Sequence, residues 1–365
     1  MNKFFLTFCL IAVLFNCFGF LQAQSPKVEI LTSGTKTSIR GLSVVNDNIV
    51  WVSGSNGMVG RSNDAGKSWK WFDAKKFVPV HDSLKSRIDF RDIEAFDGAT
   101  AIIMAIASPA YILKTNDGGE TWKVVYENKD AGMFLDAMEF WNEQSGIVIG
   151  DPVEDSRQSA LSIQQSEKRF FVARTFDGGS YWQDIPFDKR PVCDSGEACF
   201  AASGTNIRAL DRDEAVFVSG GLKSRLFTKN SPVSLPIVQG KETTGANSIA
   251  VFDNKKLKGG KIMAVVGGDF NADTSRTNIC FITNDGGRHW IKPKTSPHGY
   301  RSCVEYVATK QLVSCGLNGV DYSADAGMNW SWISKEGFHV CRKAKEGKAV
   351  FFAGGNGKIG KLVFK

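Results

Sequence analysis

Short apolar runs set the rhythm of this chain. IVWVSG at 49–54, FFVART at 170–175, AVFVSGG at 215–221, ICFIT at 279–283 and AVFFAGG at 349–355 are rich in Val, Ile and Phe and are bounded by Gly, Asn, Asp and Ser. Runs of this length between turn formers predict strands. In the first full unit they fall at Arg40–Val45, Ile49–Gly54, Met58–Asn63 and Ser68–Phe72, four strands joined by tight turns. An all-β chain of repeated four-stranded units is therefore expected.

The repeat is marked by one corner. The pattern [ST]-x-D-[AG]-G-x-x-W occurs at Ser62–Trp69, Thr115–Trp122, Thr175–Trp182, Thr283–Trp290 and Ser323–Trp330. Each residue type has a physical task. The Asp accepts hydrogen bonds from its own turn, the Gly supplies a positive φ, and the Trp opens the next strand with its indole buried between layers. The step of 108 residues from Asp177 to Asp285 is twice the usual spacing and predicts a degenerate unit near residue 230, where AVFVSGG, SRLFTKN and VSLPIV keep the strand rhythm. A seventh unit, AVFFAGGNGKIGKLVFK, ends before any such corner. Its missing outer strand is supplied by KVEIL at 27–31. The expectation is a seven-bladed β-propeller of four-stranded antiparallel blades, closed by its N- and C-terminal strands, with six blades as the alternative. GGNGKIG at 354–360 is a turn, matching SGSNGMVG in the first unit.

The corner resembles the Asp-box, or BNR repeat, of β-propellers such as sialidases. Blade count, length and leader together resemble the photosystem II stability/assembly factor family. That resemblance implies a soluble propeller that binds a partner or ligand through an Arg-bearing face, and Arg40, Arg91 and Arg301 are the positions that would serve. The sialidase FRIP motif is only half present, as FRDI at 90–93.

Composition changes this picture little. The chain has 365 residues and a formal charge of +7 with no Lys/Arg runs, so nucleic acid is not an expected partner. Lys3 precedes an apolar run from Phe4 to Phe20 and then Leu21-Gln22-Ala23. This reads as a signal peptide over 1–23, an export to periplasm or exterior, and a single propeller domain over 24–365, monomeric and without a membrane segment after cleavage. A lipid anchor at Cys17 has a poor recognition sequence. In an oxidising compartment Cys193–Cys199 and Cys303–Cys315 are candidate disulfides, with buried thiols the alternative. No CxxC and no His near a Cys suggests zinc, and no cofactor or metal is expected. Asp269, Asn271, Asp273 and Ser275 space like the start of a calcium loop whose Gly and Glu are missing.

Two insertions, DPVEDSRQSALSIQQSEKR in blade three and GGDFNADTSRTN in blade five, elaborate the face opposite the corners. Aligning the innermost strands as IRGLSVV, FRDIEAF, FLDAMEF, GEACFAA, ANSIAVF, YRSCVEY and FHVCRKA places Arg40, Arg91, Leu135, Glu197, Asn247, Arg301 and His339 around the channel mouth on that face. The next position adds Asp92, Asp136, Ser248 and Ser302. Arg40, Arg91, Asn247, Arg301 and His339 are the candidate ligand residues, for a carboxylate, sulfate or phosphate on a small molecule, glycan or partner protein; a merely polar channel lining is the alternative. Phe90, Phe134, Tyr300 and Phe338 add rings beside them. A rival reading is a carbohydrate-active hydrolase or lyase, with Asp92, Asp136, Glu197, Tyr300 and His339 as candidate catalytic groups.

Overall fold

A computed structural model describes residues 25–155, 167–254, 256 and 259–365. The expected leader over 1–23 and most of the blade-three insertion lie outside the described residues. What is described is a seven-bladed propeller, which excludes the six-bladed alternative.

Blade one consists of Ile39–Val44, Val50–Gly54, Met58–Ser62 and Lys70–Asp73, within two residues of the expected strands. Blade seven takes three strands from the C-terminus, Val340–Lys343, Val350–Ala353 and Ile359–Phe364, and its outer strand from the N-terminus, Pro26–Thr32. The two ends pair antiparallel from Pro26 opposite Phe364 to Thr32 opposite Ile359. Closure covers the edge that an open ring would expose. Blade four is thin, with the inner strand Ile207–Ala209 and the outer strand Val233–Ser234. In blade five the outer strand shrinks to a bridge between Ile282 and Ile291.

Each corner is a closed hydrogen-bond unit. Thr115 Oγ1 donates to Asp117 Oδ1 at 2.8 Å and accepts the Gly119 N–H at 3.1 Å, while Asp117 also accepts the Thr121 N–H. Trp122 donates from Nε1 to the Gly119 carbonyl and meets Trp51 edge-on at 6.4 Å. The first of the two small residues also has positive φ, and Ala65 and Ala326 adopt it at 63° and 61°. A Cβ is disfavoured there, so the turn's other bonds hold those two copies in place.

Six of the seven inner strands begin with a β-bulge. The register skips one residue at Arg40, Arg91, Asp136 and Asn247. In the last two blades Ser302 and His339 donate their N–H groups to Cys315 and Ala353, which already face Cys303 and Val340. A bulge turns its extra side chain away from the sheet face. The bulge residues are therefore the ones aimed at the upper channel mouth, where the inner strands start; the corners lie on the lower face.

This register corrects the sequence alignment at three blades. In blade three the channel-directed residue is Asp136, not Leu135. In blade six it is Ser302, and Arg301 takes the position held elsewhere by Ile39 and Phe338, whose N–H groups likewise donate to a glycine carbonyl of the preceding blade. In blade four Glu197 is not on the inner strand: Glu197–Ala198 pairs with Gly220–Gly221, which in turn joins the inner strand of blade five.

Neither candidate disulfide is formed. Cys193 and Cys199 turn their thiols to different carbonyls, those of Lys168 and Val218. Cys303 does stand opposite Cys315, as the hairpin required, but both remain thiols.

Candidate functional site

GEACFAA at 196–202 is expected from the sequence to be an inner strand; instead the chain from 199 to 206 threads the middle of the ring. Its backbone is held from all sides. Ala202 O accepts Arg40 Nη1 at 3.1 Å, Gly204 O accepts Arg342 Nη2 at 2.8 Å, Ser203 Oγ donates to Ser302 O, and Thr205 Oγ1 donates to Ser248 Oγ. Gly204 lies against the Asp92 carboxyl, where any Cβ would come within 2.4 Å of it. The channel is plugged.

Above the plug, Arg40, Arg91 and His339 come together and stay partly accessible. Arg91 Nε donates to Asp89 Oδ2 at 2.8 Å, and His339 Nε2 lies 3.1 Å from Ser38 Oγ. Burial, then the fields of Arg40 and Arg91, push the His339 imidazole down to about 3. Arg40 is itself lowered by burial and by Arg91. Among the described residues it has a carbonyl partner but no carboxylate within salt-bridge distance. Two guanidiniums thus lie beside the Asp89 carboxylate and a neutral imidazole, with the raised Asp136 carboxyl also in the field of Arg91.

The other predicted residues are committed inside the fold. Arg301 is fully buried; its Nε donates to Asp321 Oδ2 at 2.8 Å, Nη2 adds a second bond to the same oxygen, and Nη1 donates to the Tyr300 carbonyl and to Asn318. Tyr300 donates its hydroxyl to Asn247 Oδ1 at 2.8 Å, both side chains being buried. Burial raises the Tyr300 phenol. Phe90 and Phe338 are core residues. The blade-five insertion packs over this region, with Phe270 6.4 Å from the Tyr300 ring and the Asp273 carbonyl accepting the Tyr300 N–H. Asp269 accepts the Asn271 N–H. That loop is accordingly used as cover for blade six.

The three candidate acids do not face a common opening. Asp92 is buried, accepts the Ile93 and Met138 N–H groups, and is pushed up to about 8 by burial, against the pull of Arg342. Asp136 is fully buried with no hydrogen bond of good geometry to either oxygen; burial and then Asp151 raise it well above the usual carboxylate range. Glu197 is locked by Arg225, whose Nε donates at 2.9 Å, and by the Ser219 hydroxyl.

Below the plug the ring is open. A cavity of about 940 Å³ is lined by the far ends of all seven inner strands, including Glu94, Glu139, Arg208, Glu305, Arg342 and Lys345. Arg208 lies between two carboxylates, 3.7 Å from Glu139 and 3.1 Å from Glu305, and Lys345 pairs with Glu94. Burial raises both Glu139 and Glu305. Sequence reasoning missed this end of the channel. The signal was present in the charged residue five or six places into most inner strands, as in FRDIE, FLDAME, YRSCVE and FHVCR.

No helix among the described residues is long and apolar enough to cross a membrane. No protein-family model matches the sequence, and no curated protein matches it. Solved structures do resemble the fold. A structure of YCF48 bound to a D1 peptide superposes with a TM-score of 0.62 at 15% identity, over 93% of this chain and 97% of the other. YCF48 from Cyanidioschyzon merolae gives 0.61 at 15% identity, over 92% and 98%. U3-55K gives 0.59 at 11% identity, over 92% and 98%. The likeness at these identities is one of fold: the chain is a β-propeller similar to YCF48.

Proposed function

We propose that this is an exported, Asp-box-type propeller that holds a partner protein by an anionic group, a carboxylate on a peptide segment, at Arg40 with Arg91 and His339 on the upper face. The observation that carries the reading is Arg40: a half-buried guanidinium next to a second one, with a carbonyl as its hydrogen-bond partner and, among the described residues, no carboxylate within salt-bridge distance. A carboxylate arriving there gains a charge-assisted hydrogen bond in a site already partly dry. The likeness to a propeller whose structure was solved with a peptide supports a peptide as the occupant.

A hydrolase is supported less well. Of the acids that line the open cavity, Glu139 and Glu305 have Arg208 clamped between them and Glu94 is paired with Lys345, so the space a scissile bond would need between two such carboxyls is taken.

The test is calorimetric titration of the full chain with a panel of acidic peptides, each with a free and an amidated C-terminus. Binding is expected to fall at least tenfold in Arg40→Gln and in Arg91→Gln, and to persist in Arg212→Gln, a change on the exposed surface. Equal affinity of the wild type and an Arg40→Gln/Arg91→Gln double variant for every peptide that binds would overturn the assignment.

A further inference from the structure

Three cysteines far apart in the chain meet in the core between blades six and seven. Cys303 is on the inner strand of blade six, Cys315 is its cross-strand neighbour, and Cys341 comes from the inner strand of blade seven. All three are fully buried and their sulfurs lie within 4.8 Å of one another. Cys303 and Cys341 have sulfurs 3.5 Å apart, well beyond a disulfide bond of about 2.05 Å.

The repeat supplies an internal comparison. The register position of Cys341 is held in other blades by Leu42, Ile93, Met138, Ile249 and Val304. That of Cys315 is held by Ser53, Met104, Ile149, Val266 and Ala353. At the place of Cys341 every one of these blades uses a larger apolar filler, and a smaller side chain forfeits packing. The place of Cys303 is held by Gly41, Asp92, Ala137, Ser248 and Val340, so none of these blades repeats the meeting of three thiols.

Their geometry suits a metal. Metal–thiolate bonds of about 2.3 Å around a central ion put the sulfurs about 4 Å apart, inside the observed spread. Zinc takes four ligands in closed sites, and among the described residues no His or carboxylate joins these three. Soft thiolates select Cu(I). The Arg342 guanidinium acts electrostatically on Cys303. The same Arg342 offsets negative charge on a loaded site.

We propose that Cys303, Cys315 and Cys341 form a three-coordinate thiolate site for a soft monovalent ion, Cu(I). Each thiol that becomes a thiolate ligand releases one proton to solvent, and no electron moves. Since the sulfurs are sealed from solvent, the ion enters as the chain folds.

The test is to refold the full chain without oxygen in the presence of Cu(I) buffered by a competing chelator, and then to remove unbound metal. One copper per chain is expected, with three sulfur neighbours by X-ray absorption. Cys341→Ile and Cys315→Val install residues that other blades use at the same places, so the variants should fold; each is expected to lose copper affinity at least tenfold. Cys199→Ser and Cys280→Ser are expected to keep one copper. The proposal is overturned if the wild type retains no copper, if Cys341→Ile retains as much as the wild type, or if peptide mapping finds two of the three joined as a disulfide.

Discussion

Arg301 Nε donates to Asp321 Oδ2 at 2.8 Å, and both side chains are sealed from solvent. The Asp also accepts the His298 N–H, so this pair pins the loop entering blade six to the blade's third strand. Removing one partner of a buried pair leaves the other as an uncompensated charge, which costs about 3–5 kcal/mol. Arg301→Ala is therefore expected to lower the urea midpoint sharply. Replacing both partners, as Arg301→Met with Asp321→Leu, should recover much of the loss. A midpoint for Arg301→Ala within error of the wild type would show that the pair does not hold this loop.

Asp136 makes the opposite prediction. Burial and then Asp151 raise its carboxyl well above the usual range, so the folded chain keeps a proton to higher pH than the unfolded chain, which releases it above about pH 3.9. With its folded pKa raised, the group's contribution is fully present below that value and is lost as pH rises, by up to about 1.4 kcal/mol per pH unit. Asp136→Asn keeps the shape and removes the titration. Relative to the wild type it should become more stable from pH 5 to pH 7, in paired urea melts; parallel curves would contradict this.

These two residues also show what the chain's letters could and could not tell. The corners are local: Asp, Gly and Trp act within eight residues, so blade number and the closure of KVEIL on the last strand were readable. The bulges are not local. One extra residue reverses which side chains face the channel, and the letters YRSC look like FRDI although Arg301 sits one step earlier in register than Arg91. Blade four failed for a different reason. GEACFAA at 196–202 has a strand's composition, but only Glu197–Ala198 pairs as a strand, and the chain from 199 to 206 runs on as a plug, a role defined by partners such as Arg40, Ser248, Ser302 and Arg342 from blades on every side. The Cys303–Cys315 pairing was legible within one hairpin, whereas Cys341 reaches it from the neighbouring blade.

His339 is lowered to about 3 by burial and by Arg40 and Arg91. From pH 4 to 8 it stays neutral and cannot add a positive charge to the upper site. Peptide binding there should show no step near pH 6.5, the ordinary His value, and the His339 ring protons should not shift between pH 5 and 8 by NMR. The folded state binds fewer protons than the unfolded state below pH 6.5, so this residue removes stability as pH falls toward 3. His339→Gln is expected to flatten that part of the stability profile. A ring titration near neutrality would mean that the imidazole is solvated and that the site's charge changes with pH.

Asp117 governs the acid limit at the corners. The Thr121 hydroxyl and N–H, then the Thr115 hydroxyl, hold it at about 2, and the equivalent bonds hold Asp64 at about 2 as well. A depressed folded pKa gives stability that is present above the unfolded value of about 3.9 and is lost as pH falls through about 2. Thermal midpoints should accordingly drop between pH 4 and 2. Asp117→Ala should melt lower than the wild type at pH 7, because the Thr121 N–H and hydroxyl lose their acceptor, and its midpoint should fall less steeply between pH 4 and 2. Trp122 fluorescence reports the same corner, since its indole donates to the Gly119 carbonyl one step along the turn. Peptide affinity at the upper face should be unchanged, because the corner and Arg40 lie on opposite faces of the propeller. A variant that lost peptide binding while keeping its melting curve would place the ligand on the lower face instead.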